Sequence, residues 1–167
     1  MRTDEFSTRY RVRPLLEADI EQILKLCSGN PLYYEYCPPF VSAESIRSDM
    51  RALPPGKQAE DKHYLGYFDG ADLIAVLDLI DGYPGPESAF IGFFMTESSL
   101  QGRGIGTEII AELCAALKDQ GFTEIRLCRA EGNPQPKAFW HKNGFAENGL
   151  SYNTNGYTVF VLRKVLS

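Results

Sequence analysis

The stretch Leu100-Gln101-Gly102-Arg103-Gly104-Ile105-Gly106-Thr107-Glu108-Ile109-Ile110 places three glycines at alternate positions between an apolar run and an amphipathic segment. Glycine has no Cβ, so a loop of this kind lets a ligand approach the main-chain N–H groups closely. Where such a loop runs directly into a helix, the unpaired N–H groups of the first turn and the positive end of the helix dipole act on the same anion. The stretch therefore predicts a phosphate-binding turn, with a simple tight turn from strand to helix as the alternative.

A helix is predicted immediately after the glycines, and Gly121 is a suitable stop for it. Apolar residues recur there at helical spacing, namely Ile105, Ile109, Ile110, Leu113, Cys114 and Leu117. Two better-known phosphate motifs do not fit. A Walker A loop needs a lysine after its last glycine, where this chain has Thr107, and the dinucleotide fingerprint needs a glycine at the position that Thr107 occupies.

The composition of the chain limits its class. With 167 residues, 44% of them hydrophobic, we expect a single domain spanning residues 1–167. A net charge of -5 argues against a general nucleic-acid binder. The four cysteines form no C-x-x-C pair, which indicates neither disulfides nor a metal site and suits the reducing cytoplasm. No apolar run approaches the ~18 residues of a membrane span, and no signal-peptide core follows the N-terminus. We therefore expect a cytoplasmic monomer or homodimer with no membrane partner.

The remaining periodicities predict the order of elements. Strands are expected at 10–15, 62–68, 72–80, 89–95, 124–129, 151–152 and 157–165, and helices at 17–27, 42–53, 105–120 and 134–142. The pairs Asp69-Gly70 and Asn155-Gly156 indicate hairpins, and residues 29–40 are predicted to form an aromatic loop. This order predicts an α+β (mixed α/β) domain with one mostly antiparallel sheet of about seven strands and flanking helices. The strand, loop, helix and strand of residues 89–129 should form its parallel part.

Taken together, these motifs and this order resemble the GNAT superfamily of acyl-CoA-dependent N-acetyltransferases. The superfamily places a Q/R-x-x-G-x-G/A loop between its fourth strand and its third helix, and Gln101–Gly106 matches every constrained position. Its second signature is an Asn after the fifth strand and a helix that ends in aromatic-x-K-x-G-F, which Asn133 and residues 139–145 resemble. The resemblance covers nearly the whole chain and implies a GNAT-like fold whose fourth and fifth strands are parallel and splayed.

The resemblance also implies a site for acetyl-CoA. The pyrophosphate would lie on the loop amides, the pantetheine arm would pair with the fourth strand, and Asn133 would contact that arm. The expected cofactor-binding residues are Phe94, Met95, Thr96, Gln101, Gly102, Arg103, Gly104, Ile105, Gly106, Thr107, Asn133, Phe139, Trp140 and Lys142. For Arg103 a solvated loop charge is the alternative, and Asn133 can also serve as the N-cap of a helix that begins at Pro134.

Acyl transfer to an amine needs a deprotonated amine, stabilisation of the oxyanion and a proton for the leaving thiolate. In the family a tyrosine on the fourth helix usually gives that proton, but its position here is Trp140, whose indole N–H is not a practical acid. Tyr152 and Tyr157 on the last hairpin are the candidate donors. Water is an alternative, because a thiolate is only weakly basic.

A general base is less evident, because Phe90 occupies the position where some members of the family carry a glutamate. The candidate carboxylates are Asp78, Asp81, Glu87 and Glu97. Asp78 interrupts an apolar run, so its carboxylate either faces solvent or lines a cleft, and simple alternation favours solvent. If Asp78 or Asp81 does face the cleft, we expect it to attract a substrate ammonium rather than remove its proton unaided.

Aromatic residues of the segment between the first two helices, Tyr33, Tyr34, Tyr36 and Phe40, occupy the loop that commonly covers the acceptor in this family. They could bracket a cationic or apolar acceptor, or pack the loop onto the core. The sequence thus predicts an N-acetyltransferase that moves the acetyl group of acetyl-CoA to a primary amine of a small molecule or protein by direct attack. Tyr33, Tyr34 and Asp81 are its candidate substrate-binding residues. The alternative is a non-catalytic acyl-CoA-binding or sensor module, which the missing tyrosine and glutamate suggest.

Overall fold

Seven strands form one sheet in the computed structural model, which describes residues 1–167. The strands are β1 (Arg11–Pro14), β2 (Lys62–Asp69), β3 (Asp72–Asp81), β4 (Ser88–Thr96), β5 (Glu124–Ala130), β6 (Ala146–Thr154) and β7 (Tyr157–Val165). Their order in the sheet is β1-β2-β3-β4-β5-β7-β6. Only the β4–β5 pair is parallel, and every other neighbouring pair is antiparallel. This confirms the predicted fold class.

Five α-helices accompany the sheet, and apolar clusters form on both of its faces. The helices are α1 (Ile20–Ser28), α2 (Pro31–Tyr36), α3 (Ala43–Asp49), α4 (Ile105–Asp119) and α5 (Pro134–Lys142). The larger cluster joins α4 and α5 to one face through residues such as Leu113 and Leu77. The smaller cluster joins α1 and α3 to the other face, where Ile23 and Val76 are fully buried. Because neighbouring strand residues point to opposite faces, the continuous apolar run of β3 serves both clusters.

Three boundaries differ from the sequence-based expectations. The predicted aromatic loop contains the short helix α2, which begins at Pro31, a residue preorganised for the first helical position. The next helix ends at Asp49 rather than near Leu53, ahead of the Pro54-Pro55 pair that cannot continue it. Strand β6 begins at Ala146 rather than Ser151. All its residues are exposed, so its backbone pairing with β7 carries no apolar alternation that a sequence could reveal.

The parallel pair β4–β5 is closed at one end and open at the other. Ladder pairing joins Ser88–Ile91 to Glu124–Leu127 and then stops. At the closed end the Ser88 hydroxyl donates a 2.8 Å hydrogen bond to Glu124, which also accepts from Arg126 and Arg163. Beyond Ile91, β4 stays with β3 while β5 follows β7. The predicted splay is therefore confirmed, and it opens a cleft in the middle of the sheet.

No helix in the structure has both the length and the apolar character that crossing a membrane requires.

The first prediction concerns Asp19, which accepts two 2.8 Å hydrogen bonds from the Arg13 guanidinium and one from the Leu16 amide. The hydrogen bond from Arg13 lowers the pKa of the Asp19 carboxyl in the folded state. The carboxylate therefore stabilises the fold fully above the unfolded pKa of about 3.9, and this contribution is lost as the pH falls through the lower folded pKa. Asp19→Asn should reduce the free energy of unfolding at pH 7, and its difference from wild type should shrink below about pH 4.

Urea unfolding at a series of pH values measures this difference. Asp72→Asn is the matched control, because Asp72 is an exposed carboxylate that forms no ion pair. A difference for Asp19→Asn that stays constant from pH 7 to pH 3 would contradict the assignment.

Candidate active site

The splay between β4 and β5 opens into a cavity of about 550 Å³. Most of the residues predicted from the sequence to bind a ligand line this cavity. They are Tyr33, Phe94, Met95, Thr96, Gln101, Gly102, Gly104, Ile105, Gly106, Thr107, Asn133, Phe139, Trp140, Lys142 and Tyr157. Residues far apart in the chain thus meet at one place, because α2, the glycine loop, α5 and the β6–β7 hairpin all border the open end of the cleft.

Three other predicted residues lie outside the cavity lining. Arg103 is exposed on the glycine loop. Tyr152 lies on the edge strand β6 and is 55% exposed. Asp81 pairs with Ala89 near the closed end of the cleft, and its carboxylate lies 3.9 Å from the Met1 amino group. Asp81 is therefore not in position to bind a substrate within this cavity.

Two further predicted residues lie behind the cavity wall. The phenol of Tyr34 packs beside Cys27 and its ring lies 5.1 Å from that of Phe40. Asp78 does not face solvent, as simple alternation suggested: its carboxylate is buried and both of its oxygens lie 2.8 Å from Lys62 Nζ. Sequence alternation failed here because a charged partner on the neighbouring strand makes burial of the carboxylate possible.

The glycine loop presents a row of unpaired amides to the cavity. Gly102 and Gly104 have φ values of 74° and 83°, which favour glycine. Gly104 is the N-cap of α4, and because it has no side chain it leaves the first amides of the helix uncapped. The first amide after the loop to find a backbone acceptor is that of Glu108, which donates to Gly104 O at 2.9 Å, while the amides of residues 102–107 have no partner. Such a row at a helix N-terminus is an anion site.

An aromatic wall holds the start of α4 against α5. A Cβ added to Gly106 would lie 3.1 Å from the ring of Phe139, so glycine is needed for this close approach. The Phe139 ring stacks near Phe94 with 5.9 Å between centroids, and Trp140 lies 5.0 Å from Phe139 and 5.1 Å from Phe145. Trp140 is only 6% exposed, so it closes the wall of the cleft as a core residue.

Side-chain amides connect the three elements around the mouth of the cleft. Gln101 donates to the Asn30 side chain and accepts a 3.0 Å hydrogen bond from Gln135. Asn30 also donates to Thr96 O at 3.2 Å. Asn133 caps α5 as predicted, since its side-chain oxygen accepts a 3.2 Å hydrogen bond from the backbone N–H of Gln135. This network fixes the start of α2, the glycine loop and the start of α5 relative to the end of β4.

A polar cluster lines the cavity beneath α2. The Cys37 thiol interacts with the hydroxyls of both Tyr33 and Tyr157, and burial raises the pKa of all three groups. The ring of Tyr33 lies edge-on to Phe93 of β4, with centroids 5.5 Å apart. Tyr36 packs against the connection from β5 to α5, where a Cβ on Gly132 would lie 3.3 Å from its ring. Helix α2 therefore spans the cleft from one splayed strand to the other.

The cavity lining contains no carboxylate, and its charged members are Arg129 and Lys142. Arg129 is buried and pairs with Glu147 of β6. The sequence analysis missed several lining residues, among them Asn30, Cys37, Gly92, Phe93, Cys128 and Gln135. A glycine inside an apolar strand does signal a bulge, so Gly92 could have been found from the sequence. The others belong to ordinary local patterns and reach the cavity only through the tertiary fold.

The chain also resembles known proteins. A family model described as the acetyltransferase (GNAT) family matches residues 30–145. Among solved structures, an acetyltransferase from Thermus thermophilus superposes with a TM-score of 0.76 at 22% identity, covering 94% of this chain and 97% of the other. The PaiA N-acetyltransferase from Thermoplasma acidophilum, solved in complex with coenzyme A, gives 0.63 at 22% identity, with coverages of 93% and 98%.

A third solved structure, the ribosomal-protein-S18-alanine N-acetyltransferase from Escherichia coli, gives a TM-score of 0.67 at 14% identity, with coverages of 95% and 94%. At these identities the likenesses show a shared fold. No curated protein sequence matches the chain.

The second prediction tests the amide row with a matched pair of glycines. Gly104 and Gly56 have φ values of 83° and 81°, and a Cβ at either would meet nothing within 4 Å. Alanine should therefore strain the backbone similarly at both positions, by about 1–2 kcal/mol. Gly104→Ala should weaken coenzyme A binding about tenfold, because a methyl group would hold a phosphate away from the amides. Gly56→Ala should leave the affinity unchanged.

Isothermal titration calorimetry with coenzyme A measures both affinities, and thermal unfolding confirms that both variants are folded. Equal affinities for the two variants would rule out the amide row as the phosphate site.

Proposed function

Because the chain belongs to the acetyltransferase (GNAT) family and is an acetyltransferase that uses acetyl-CoA, we propose that it acetylates a primary amine in the cleft between β4 and β5. One observation carries this proposal: Gly102 and residues 104–107, whose amides are unpaired, line the same cavity as the Tyr33, Cys37 and Tyr157 cluster. An anion site and a group of neutral proton donors thus border one continuous space.

The cofactor half of the cleft is assigned to the glycine loop, the free edge of β4 and α5. The amides of residues 102–107 would bind the pyrophosphate, and the exposed Arg103 would add positive charge beside it. The edge of β4 at Phe94 and Met95 lacks a strand partner towards β5, so an extended pantetheine arm could pair there. Asn133, Phe139, Trp140 and Lys142 line the opposite wall. When bound, acetyl-CoA supplies the activated thioester whose acetyl group is transferred.

Tyr157 is the proton donor in this proposal. Trp140, at the position where the family usually has its tyrosine, is packed among aromatic rings. Tyr157 lines the cavity, whereas Tyr152 lies outside it on the exposed edge strand. Burial, together with the neighbouring Cys37, raises the pKa of the Tyr157 hydroxyl, so the hydroxyl keeps its proton at neutral pH. The hydroxyl is therefore protonated and can donate when the thiolate leaves.

The amine acceptor is assigned to the half of the cavity beneath α2. Tyr33 and Phe93 form aromatic walls there, and Tyr34 supports Tyr33 from behind with its ring centroid 5.0 Å away. The acceptor is a small-molecule or protein amine. We place the reaction in the cytoplasm, where the four free cysteines would stay reduced. The family match does not favour a non-catalytic sensor.

The third prediction tests the proton donor. Tyr157→Phe should lower kcat about 100-fold, at the low end of general acid catalysis because the thiolate is a good leaving group. The affinity for acetyl-CoA should change little, since the hydroxyl acts in the transition state. Release of free CoA thiol is measured with a panel of primary amines that includes spermidine, lysine and benzylamine. Tyr152→Phe is the control and should retain full activity; a Tyr157→Phe enzyme with wild-type kcat would remove Tyr157 from the mechanism.

A further inference from the structure

A buried carboxylate lies directly behind the wall of the acceptor half. Asp78 is 9% exposed in the middle of β3, and both of its oxygens lie 2.8 Å from Lys62 Nζ on β2. The Lys62 side chain is itself only 5% exposed. Burying an ion pair has a high desolvation cost and seldom improves on well-packed apolar side chains of the same volume. This pair therefore calls for a role beyond stability.

The carboxylate lies against Gly92, a residue of the cleft wall. Asp78 pairs with Phe93 and the next residue, Leu79, pairs with Ile91, so Gly92 is the extra residue of a β-bulge in β4. A Cβ at Gly92 would lie 2.6 Å from Asp78 Oδ2, so a side chain at this position would require the Asp78 carboxylate to move. Gly92 is exposed and lines the cavity. The missing side chain thus leaves Asp78 Oδ2 against the backbone that forms the cleft wall, although Asp78 itself lies just behind the lining.

The titratable groups around Asp78 come from two elements, β2 and α3. Lys62 and Tyr64 face it from β2, with the ammonium 5.9 Å from the Tyr64 ring centroid, and Asp49 faces it from α3. By formal charge, the two carboxylates and one ammonium make the cluster negative. A cationic group in the acceptor half of the cleft would be attracted towards Gly92.

We propose that Asp78 is the proton acceptor for the substrate ammonium, acting at the cleft wall beside Gly92, and that Lys62 is a positioning residue that holds its carboxylate. This inference rests on the proposed acetylation of an amine. Asp78 takes one proton from the ammonium and later releases it to solvent. The neutral nitrogen forms a bond to the acetyl carbon as the carbon–sulfur bond breaks. The Tyr157 hydroxyl protonates the departing thiolate and is reprotonated by the proton that the new amide nitrogen loses.

The pH dependence of kcat/KM should reflect the ionisation of Asp78. Burial raises the pKa of the Asp78 carboxyl, Lys62 opposes that shift, and Asp49 adds to it. Because Asp78 must be ionised to accept a proton, kcat/KM for an alkylamine should rise with pH through the Asp78 pKa. Lys62→Met removes the opposing charge and should raise the Asp78 pKa further. The acidic limb of the profile should then move to higher pH, which a purely structural role of Lys62 would not produce.

The fourth prediction compares two probe amines of similar size. Benzylamine is an ammonium at neutral pH and needs a base, whereas aniline is already uncharged. Asp78→Asn should lower kcat/KM for benzylamine by about 100-fold or more, while the rate with aniline should change by less than about tenfold. Acetyl-CoA affinity, measured by calorimetry, should be unchanged. Asp81→Asn, at the end of β3 that lies outside the cavity, is the matched control and should behave as wild type.

A second variant distinguishes loss of the proton acceptor from misfolding, because Asp78→Asn alone leaves the buried Lys62 ammonium without its partner. The double variant Lys62→Met/Asp78→Asn removes both charges and should show the same selective loss with benzylamine. Equal losses for benzylamine and aniline in a folded double variant, or full activity of Asp78→Asn with an unchanged acidic limb, would overturn the role of Asp78 while the proposed acetylation stands. If wild-type protein binds acetyl-CoA but releases no thiol with any amine of the panel, the proposed function fails, and the role of Asp78 fails with it.

Discussion

The site depends on one constraint: β4 and β5 share ladder hydrogen bonds only over Ser88–Ile91 and Glu124–Leu127, and then diverge. Each strand keeps its other neighbour, β3 or β7, so the divergence leaves backbone edges free without unravelling the sheet. At the closed end, Glu124 gathers hydrogen bonds from Ser88, Arg126 and Arg163. At the open end, the Phe139 and Trp140 rings and the Gln101 amide network hold the surrounding helices in place. The cleft is therefore a stable part of the fold.

The two halves of the cleft use different chemistry. The cofactor half relies on backbone groups, namely the loop amides of residues 102–107 and the free edge of β4. Because these donors are local and fixed, an acidic protein with a net charge of -5 can still bind a polyanion. The acceptor half relies on side chains, with neutral hydroxyls and a thiol beneath α2 and a buried negative cluster behind Gly92. In the proposed assignment, an anionic cofactor and a cationic acceptor would be attracted to opposite sides of one opening.

Departures from the family pattern concern the groups proposed for proton transfer. Trp140 takes the place of the usual tyrosine and becomes part of an aromatic wall, while Tyr157 from another strand supplies the only tyrosine hydroxyl besides Tyr33 among the lining residues. Asp78 enters from β3, where the family pattern gave no reason to expect a functional carboxylate at the cleft. In the proposed mechanism Tyr157 and Asp78 take these roles: the splay brings β7 and α2 to one cavity, and β3 lies beside β4 behind its wall. A functional group can therefore be supplied by a different strand without any change in the topology of the sheet.

The sequence by itself determined the glycine loop, the strands in their order along the chain, and the hairpins at Asp69-Gly70 and Asn155-Gly156. It also determined both ends of α5. These features arise from local conformational preferences. It also determined most of the cofactor wall, since that wall is built from two contiguous segments. Only the tertiary structure decided which side chains share the acceptor half. Tyr157 and Cys37 meet through a contact between distant segments, and the burial of Asp78 behind Gly92 depends on Lys62 on the adjacent strand. Periodicity reports which face of an element is buried, but it cannot report which charge lies on the neighbouring strand.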